Sequence, residues 1–438
     1  MLRLRCLFII LMGGLLCLSA SAQTPIDVLT DDPELSIFVG WINATNVSLS
    51  DQPFTLFAPT NDAVLSLPTS VQATLEKDTA LLTRVVEYHL IAGAQPSATL
   101  ESGTVETQEG DALTLVQTEA GLTVDGVLVT EPDAVSDGLV VHKIEGVLLP
   151  PILLPNVDTF DISGDIVSAG SSTVFPLTQR MADIFGEQGY SDTILVDNIG
   201  TGAGFERFCI AAETDIANAS RGIRAEEVDA CIANGREPLE FRVGTDALAV
   251  VVPMENDFVD NLTLEELAQI FGGAATWQEV RPDWPAEPIR LYSPGTDSGT
   301  FDYFVEEVFD NDPSALLAAQ PFMSEDDESL VSRAEEDPNA ITYFGYAYYL
   351  RHTDRLRVVT INGIIPSEVS AEDGTYPLAR PLYIYSAASI FEEKPEVAAF
   401  IHFYLNNVNS EILNVGYFPA SERALNLDRL LWLSSQSS

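Results

Sequence analysis

Three short stretches concentrate the residue types that can hold an anion. They are Ser168-Ala169-Gly170-Ser171-Ser172-Thr173, Asn198-Ile199-Gly200-Thr201-Gly202-Ala203-Gly204 and Pro294-Gly295-Thr296-Asp297-Ser298-Gly299-Thr300. Glycine lets a ligand approach the backbone closely, and serine or threonine can cap a helix or donate to a ligand. Each stretch follows a strand-like run and opens a helix-like one. After the third, Phe301, Phe304, Val305 and Val308 fall at i, i+3, i+4 and i+7, one face of a helix. Val174, Leu177, Met181 and Ile184 do the same after the first, and Phe205, Phe208 and Cys209 follow the second. A turn of this kind offers free backbone N–H groups and the positive end of a helix, which suits an anion. Three in one domain, all rich in small donors, point to convergence on one tetrahedral oxyanion. None carries the lysine of a nucleotide P-loop, which argues against a triphosphate. A fourth piece, Asp215 to Arg221, is a short strand-like run ending in Ser220-Arg221. Arg221 can serve a surface ion pair or a bidentate grip on an oxyanion, and the pattern alone leaves both open.

These loops need a scaffold. The chain has 438 residues, enough for two or three domains, and 46% hydrophobic content supports a core in each. Asp and Glu outnumber Lys and Arg by 66 to 21, for a formal charge of −45. That balance argues against nucleic acid or an anionic membrane surface as partner. At the N-terminus, Arg3 and Arg5 precede an apolar run from Cys6 to Leu18, and Ala20-Ser21-Ala22 fits a cleavage site. Residues 1–22 therefore read as a signal peptide cleaved after Ala22, with the mature protein exported, periplasmic or extracellular, and soluble. Cleavage leaves Cys209 and Cys231, which in an oxidising compartment most simply form one disulfide. The four histidines, at 89, 142, 352 and 402, lack metal-ligand spacing, so no metal or other cofactor is expected.

Proline-rich Leu149 to Pro155 marks a boundary. Before it, residues 24–150 read as an α+β domain. Helical patterns cover 33–43 and 69–91, and period-two runs at 112–116, 122–124, 127–129 and 139–149 suggest an antiparallel meander. A linker follows over 151–162. Beyond it, residues 163–438 alternate strand and helix patterns, as in an α/β domain with largely parallel sheets. Strand candidates are Asp165–Ala169, Thr193–Asp197, Ala247–Val252, Ile289–Tyr292 and Pro381–Tyr385.

Two family resemblances emerge. Phe54-Thr55-Leu56-Phe57-Ala58-Pro59-Thr60-Asn61-Asp62-Ala63, Tyr88-His89-Leu90 and Val141 to Leu149 resemble, in order, the signature boxes of fasciclin-type domains. That family implies adhesion or contact with a matrix or cell-surface partner rather than a reaction. His89 and His142 lie among apolar residues and read as hydrogen-bonded core groups. The second resemblance spans nearly all of 163–420. Ala169 to Leu177, Gly200 to Cys209, Glu213 to Arg221, Pro294 to Phe304, Tyr343 to Tyr349 and Tyr376 to Tyr385 are similar to phosphate-binding subunits of bacterial ABC importers. This implies a two-lobed periplasmic-binding-protein fold of type II, closing on inorganic phosphate and serving the permease subunits of an importer. The strands 245–250 and 380–385 would cross between the lobes, giving lobe one as 163–245 and 386–438 and lobe two as 246–380.

The resemblance also implies site residues: Ser171, Ser172 and Thr173 in the first loop, Thr201 in the second, and Ser298, Gly299 and Thr300 in the third. Enteric members of the family have Ser-Asp where this chain has Ser220-Arg221, and an Arg where it has Pro294. The expectation is that the guanidinium has moved to Arg221, beside Ser220, and the acceptor carboxylate to Asp297. Protonated phosphate can donate to a carboxylate whereas sulfate cannot, so such an acceptor would discriminate between them. Two other function classes fit parts of the sequence less well. An adhesion or phosphate-sensing protein uncoupled from transport would rest on the fasciclin part. An enzyme would need more than is here: Asp297-Ser298-Gly299 lacks the second Asp motif of an aspartic protease, and neither a metal cluster nor an activated serine stands out. The chain is expected not to be an enzyme.

Overall fold

The computed structural model describes residues 29–49, 53–118, 120–136, 138–157, 159, 162–296 and 298–436. The expected signal peptide and Asp297 lie outside these. Among the described residues no helix is long and apolar enough to cross a membrane. The chain divides into two compact units. The first holds the described residues up to Leu67 together with Asp78–Leu148; the second holds Pro68–Lys77 and everything from Leu149 onward.

The first unit is built on a seven-stranded sheet. In chain order its strands are β1 (Phe54–Pro59), β2 (Leu90–Ala92), β3 (Gly103–Glu106), β4 (Ala112–Thr118), β5 (Gly121–Val124), β6 (Val127–Ser136) and β7 (Leu139–Ile144). The spatial order is β2-β1-β7-β6-β5-β4-β3. Strands β3 to β7 form the expected antiparallel meander, and β1 closes onto β7 in parallel. The single helix expected over 69–91 is instead two, Thr69–Lys77 and Thr79–Tyr88. Asp78 breaks it: its carboxylate accepts from the Ala80 and Leu81 amides and caps a new helix. Its far end is also lost to strand, because β2 pairs with β1 from Leu90 onward.

Both histidines of this unit are buried hydrogen-bonding groups. His89 donates from Nδ1 to the Val85 carbonyl at 2.7 Å and accepts at Nε2 from the Leu148 amide at 3.0 Å. His142 accepts from the Asp133 amide and donates to the Gln95 carbonyl. Each ring thus ties separate segments together in its neutral form.

The second unit has β8 (Ile166–Gly170), β9 (Ile194–Asn198), β10 (Ile216–Ala219), β11 (Pro238–Pro253), β12 (Asn261–Leu262), β13 (Arg290–Pro294), β14 (Phe322–Ser324), β15 (Ala340–Gly345), β16 (Leu356–Val358), β17 (Thr360–Ile361) and β18 (Ala379–Ala387). The main sheet runs β14-β13-β15-β11-β18-β10-β8-β9, with β16 also on β11. Pairing is parallel at each flank, β8 with β9 and β10, and β13 with β14 and β15. It is antiparallel in the middle, where the long strands β11 and β18 run through both halves in opposite senses. The sheet is therefore mixed rather than largely parallel. A bulge at Arg242–Gly244 bends β11 where it passes between the halves. There Gly244 lies so close to Ile412 and the Phe418 carbonyl that a side chain would collide with both. Residues of the expected linker are packed rather than free: Ile152 and Leu154 are buried, and the Ile152 amide donates to Asn426. Cys209 and Cys231 form the expected disulfide.

The first unit carries a pH dependence. Burial pushes the His89 pKa down to about 4 from an ordinary 6.5. Between those values the unfolded chain binds a proton that the folded unit refuses. Stability present above pH 6.5 is then lost as pH falls toward 4, by about 3 kcal/mol. Urea unfolding of the whole chain, with the first unit followed by mass-resolved proteolysis, should show its midpoint dropping between pH 7 and 4.5. The His89→Gln variant should show a smaller drop.

Candidate functional site

The first loop is organised by Asn218 on β10. Its carbonyl accepts from the Ser171 amide at 2.9 Å, and its side chain donates to Ser168 and accepts from Thr178. The Ser171 hydroxyl in turn accepts from the amides of Thr173 and Val174, at the head of the helix Phe175–Glu187. Ser171 thus stabilises the turn, while Ser172 and Thr173 follow it on the loop. The helix is anchored through Phe185, which packs against Tyr190, Phe400 and Phe403.

The second loop is seated on the first. The amides of Ile199 and Gly200 both donate to the Gly170 carbonyl, at 3.0 and 2.8 Å. A Cβ on Gly204 would sit 2.6 Å from Gly170 Cα, so only glycine permits this approach. Thr201 opens the helix that follows, and its hydroxyl lies 3.3 Å from both the Ser220 amide and the Ser220 hydroxyl.

The third loop comes from the other half of the unit. Ser298 caps the helix Gly299–Phe309, accepting from the Thr300 amide at 3.2 Å. That helix is pinned by Phe304, which stacks on Tyr343 at 3.7 Å and meets Phe271 edge-on. A Cβ on Gly299 would lie 3.7 Å from both Cα and Oγ1 of Thr173. The structure therefore sets Ser172 and Thr173, on the turn that Ser171 holds, beside Gly299 between Ser298 and Thr300, and it sets Thr201 beside Ser220.

Arg221, the expected guanidinium, is engaged by a carboxylate of its own lobe. It makes a bidentate pair with Glu227, at 2.7 and 2.8 Å, and lies over the Phe205 ring. Hydrogen bonding to Glu227 pushes its pKa further up. A guanidinium that does touch the first loop is that of Arg380, at the start of β18. It donates to the Thr173 hydroxyl and to Glu306 at 3.2 Å, pairs with Asp246 at 3.3 Å, and lies 3.7 Å over the Tyr303 ring. Asp246 and Arg380 are direct partners in the β11–β18 register. Burial raises the Asp246 pKa, and Arg380 opposes that rise. Burial also raises Asp302, in the first turn of the third loop's helix, again with Arg380 opposing and Glu306 adding to it. The resemblance implies both crossing strands but gives Arg380 and Asp246 no role; only the pairing of the two strands sets this rare basic residue opposite an acid.

A sheet split into two halves by a pair of crossing strands, with donor loops from both halves meeting there, defines a two-lobed solute-binding architecture. The chain belongs to the PBP superfamily, whose domain matches residues 155–408, and it carries a fasciclin domain over residues 33–150. Both expected resemblances are thereby borne out. Among its relatives is Protein SphX of Synechocystis sp., 40% identical over 278 residues that cover 61% of this chain and 82% of that one. Phosphate-binding protein PstS of Staphylococcus saprophyticus is 34% identical over 269 residues, covering 60% and 82%. A crystal structure described as a possible phosphate binding protein from Planctomyces limnophilus aligns with a TM-score of 0.58 at 35% identity, over 63% of this chain and 99% of that one.

The glycine contact between the first two loops is testable. Gly204→Ala should push those loops apart and destabilise the second unit by about 1–3 kcal/mol. Urea unfolding at pH 7 would measure it; an unchanged midpoint would contradict the packing described.

Proposed function

We propose that the chain captures inorganic phosphate between the two lobes of its second unit and delivers it to the permease subunits of an ABC importer. The observation that carries this reading is the meeting of hydroxyl-bearing loops from both lobes, Gly299 against Thr173, with the buried Arg380 donating to that same Thr173. Hydroxyls, helix N-termini and one guanidinium are what a dehydrated tetrahedral oxyanion requires in place of its water. The relatives named for phosphate binding support the same ligand. On this reading the protein is an exported binding protein rather than an enzyme, its signal peptide removed after Ala22. The fasciclin domain tethers it to a matrix or cell-surface partner.

Within the site, Ser172, Thr173, Thr201, Ser298, the Gly299 amide and the Thr300 hydroxyl act as donors. Arg380 supplies the fixed positive charge. Asp297 is assigned as the acceptor for the proton that phosphate retains. The bulk charge of −45 does not oppose this, because exposed charges are screened over about 10 Å in ordinary salt.

Titration calorimetry on the whole protein tests the reading. Phosphate should bind with one site per chain; no detectable heat would overturn it. Removing a charged hydrogen-bond donor costs about 1.5–3 kcal/mol, so Arg380→Ala should weaken binding by about 10- to 100-fold. Arg380→Lys keeps the charge beside Asp246 and should fall between the two, which separates lost binding from lost folding. Arg221→Ala, already committed to Glu227, should change affinity by less than about threefold. For selectivity, Asp297→Ala should narrow the preference for phosphate over sulfate; an unchanged ratio would remove Asp297 from the acceptor role.

A further inference from the structure

A second cavity lies in the same unit, at the opposite end of β13 from the phosphate loops. Its volume is about 780 Å³, within the range of small-molecule sites, and it is bordered by Arg290, Tyr292, Phe322, Arg333 and Asp337. Small residues at 272–275 and 318–319 leave the space open: Gly273 has a φ of +110°, and a Cβ there would already touch Ala319.

The chemistry of this lining is unusual for so acidic a chain. Two guanidiniums face one carboxylate, a net charge of +1, whereas the whole sequence carries −45. Asp337 lies 3.5 Å from Arg290. No carboxylate lies within ion-pair distance of Arg333 among the described residues. Its guanidinium is instead stacked 3.9 Å over the Phe322 ring. A guanidinium held face-on by an arene keeps its N–H groups directed outward in its own plane, where they can fork onto an oxyanion. Phe322 is 38% exposed at the rim and meets Tyr292 edge-on at 6.1 Å. A rim-exposed Phe322, set edge-on against the half-buried Tyr292 beside an arginine without a carboxylate partner, offers an apolar corner next to an anion grip.

The geometry points to a binding site for an organic anion: a phosphate or carboxylate group held by Arg333 and Arg290, with an apolar ring lodged in the corner between Phe322 and Tyr292. This site is separate from the one that holds free phosphate and does not depend on it. Its ligand class differs as well, since bare phosphate has no body to set against the aromatic pair.

Calorimetry on the full chain in saturating inorganic phosphate isolates the cavity. Phenyl phosphate and benzoate are the two probes, and whichever binds tighter identifies the anionic group. At least one should bind with a single site tighter than about 1 mM, while further inorganic phosphate shows no second site. Arg333→Ala and Phe322→Ala should each weaken that probe by about tenfold, the loss expected for one charged hydrogen-bonded contact or one stacking surface. Both variants should leave inorganic phosphate binding unchanged, which shows that they fold. Absence of binding by both probes, or a loss under about threefold in either variant, would overturn the assignment.

Discussion

The ion pair between Asp246 and Arg380 is the constraint around which the second unit is arranged. The two residues face each other across antiparallel strands at the junction of the lobes. A buried pair of this kind gains little net stability, because desolvation offsets most of the attraction. Its value lies in position. It holds a guanidinium where Thr173 of one lobe and Glu306 of the other both reach it. Tyr303 supplies an aromatic floor beneath the same group, so its plane as well as its charge is set.

The loops are rigid for reasons that differ from one to the next. The first is hydrogen-bonded, through the buried amide of Asn218 and the hydroxyl of Ser171. The second is held by the absence of side chains, since Gly170 and Gly204 let two backbones touch. The third rides on a helix whose aromatic face is locked into the core by Phe304, Tyr343 and Phe271. Burying rings of that size contributes on the order of 2–3 kcal/mol each, enough to keep a helix terminus in place. Such preorganisation matters for an anion, because dipoles already aimed need not be reoriented on binding.

Much of this was legible from residue patterns. The loops announced themselves through glycine and hydroxyl residues between apolar runs, and β8, β9 and β13 fall within a residue or two of the expected spans. Two features were not. The break at Asp78 depends on one side chain capping a helix inside a continuous apolar periodicity, a local competition that periodicity does not register. The division of labour between Arg221 and Arg380 depends on which acid each one meets. Glu227 is six positions from Arg221, whereas Asp246 is 134 positions from Arg380. Only the pairing of β11 with β18 brings the second couple together.

The placement of Arg380 on a crossing strand has a mechanical meaning. When two lobes rotate about the strands that join them, each atom travels in proportion to its distance from that axis. Thr173 and Gly299 stand on loops that belong to opposite lobes, so opening separates them. Arg380, on a strand that runs between the lobes, would travel least in such a rotation. The positive charge would then be a stationary landmark, present at the junction whether the lobes are apart or together.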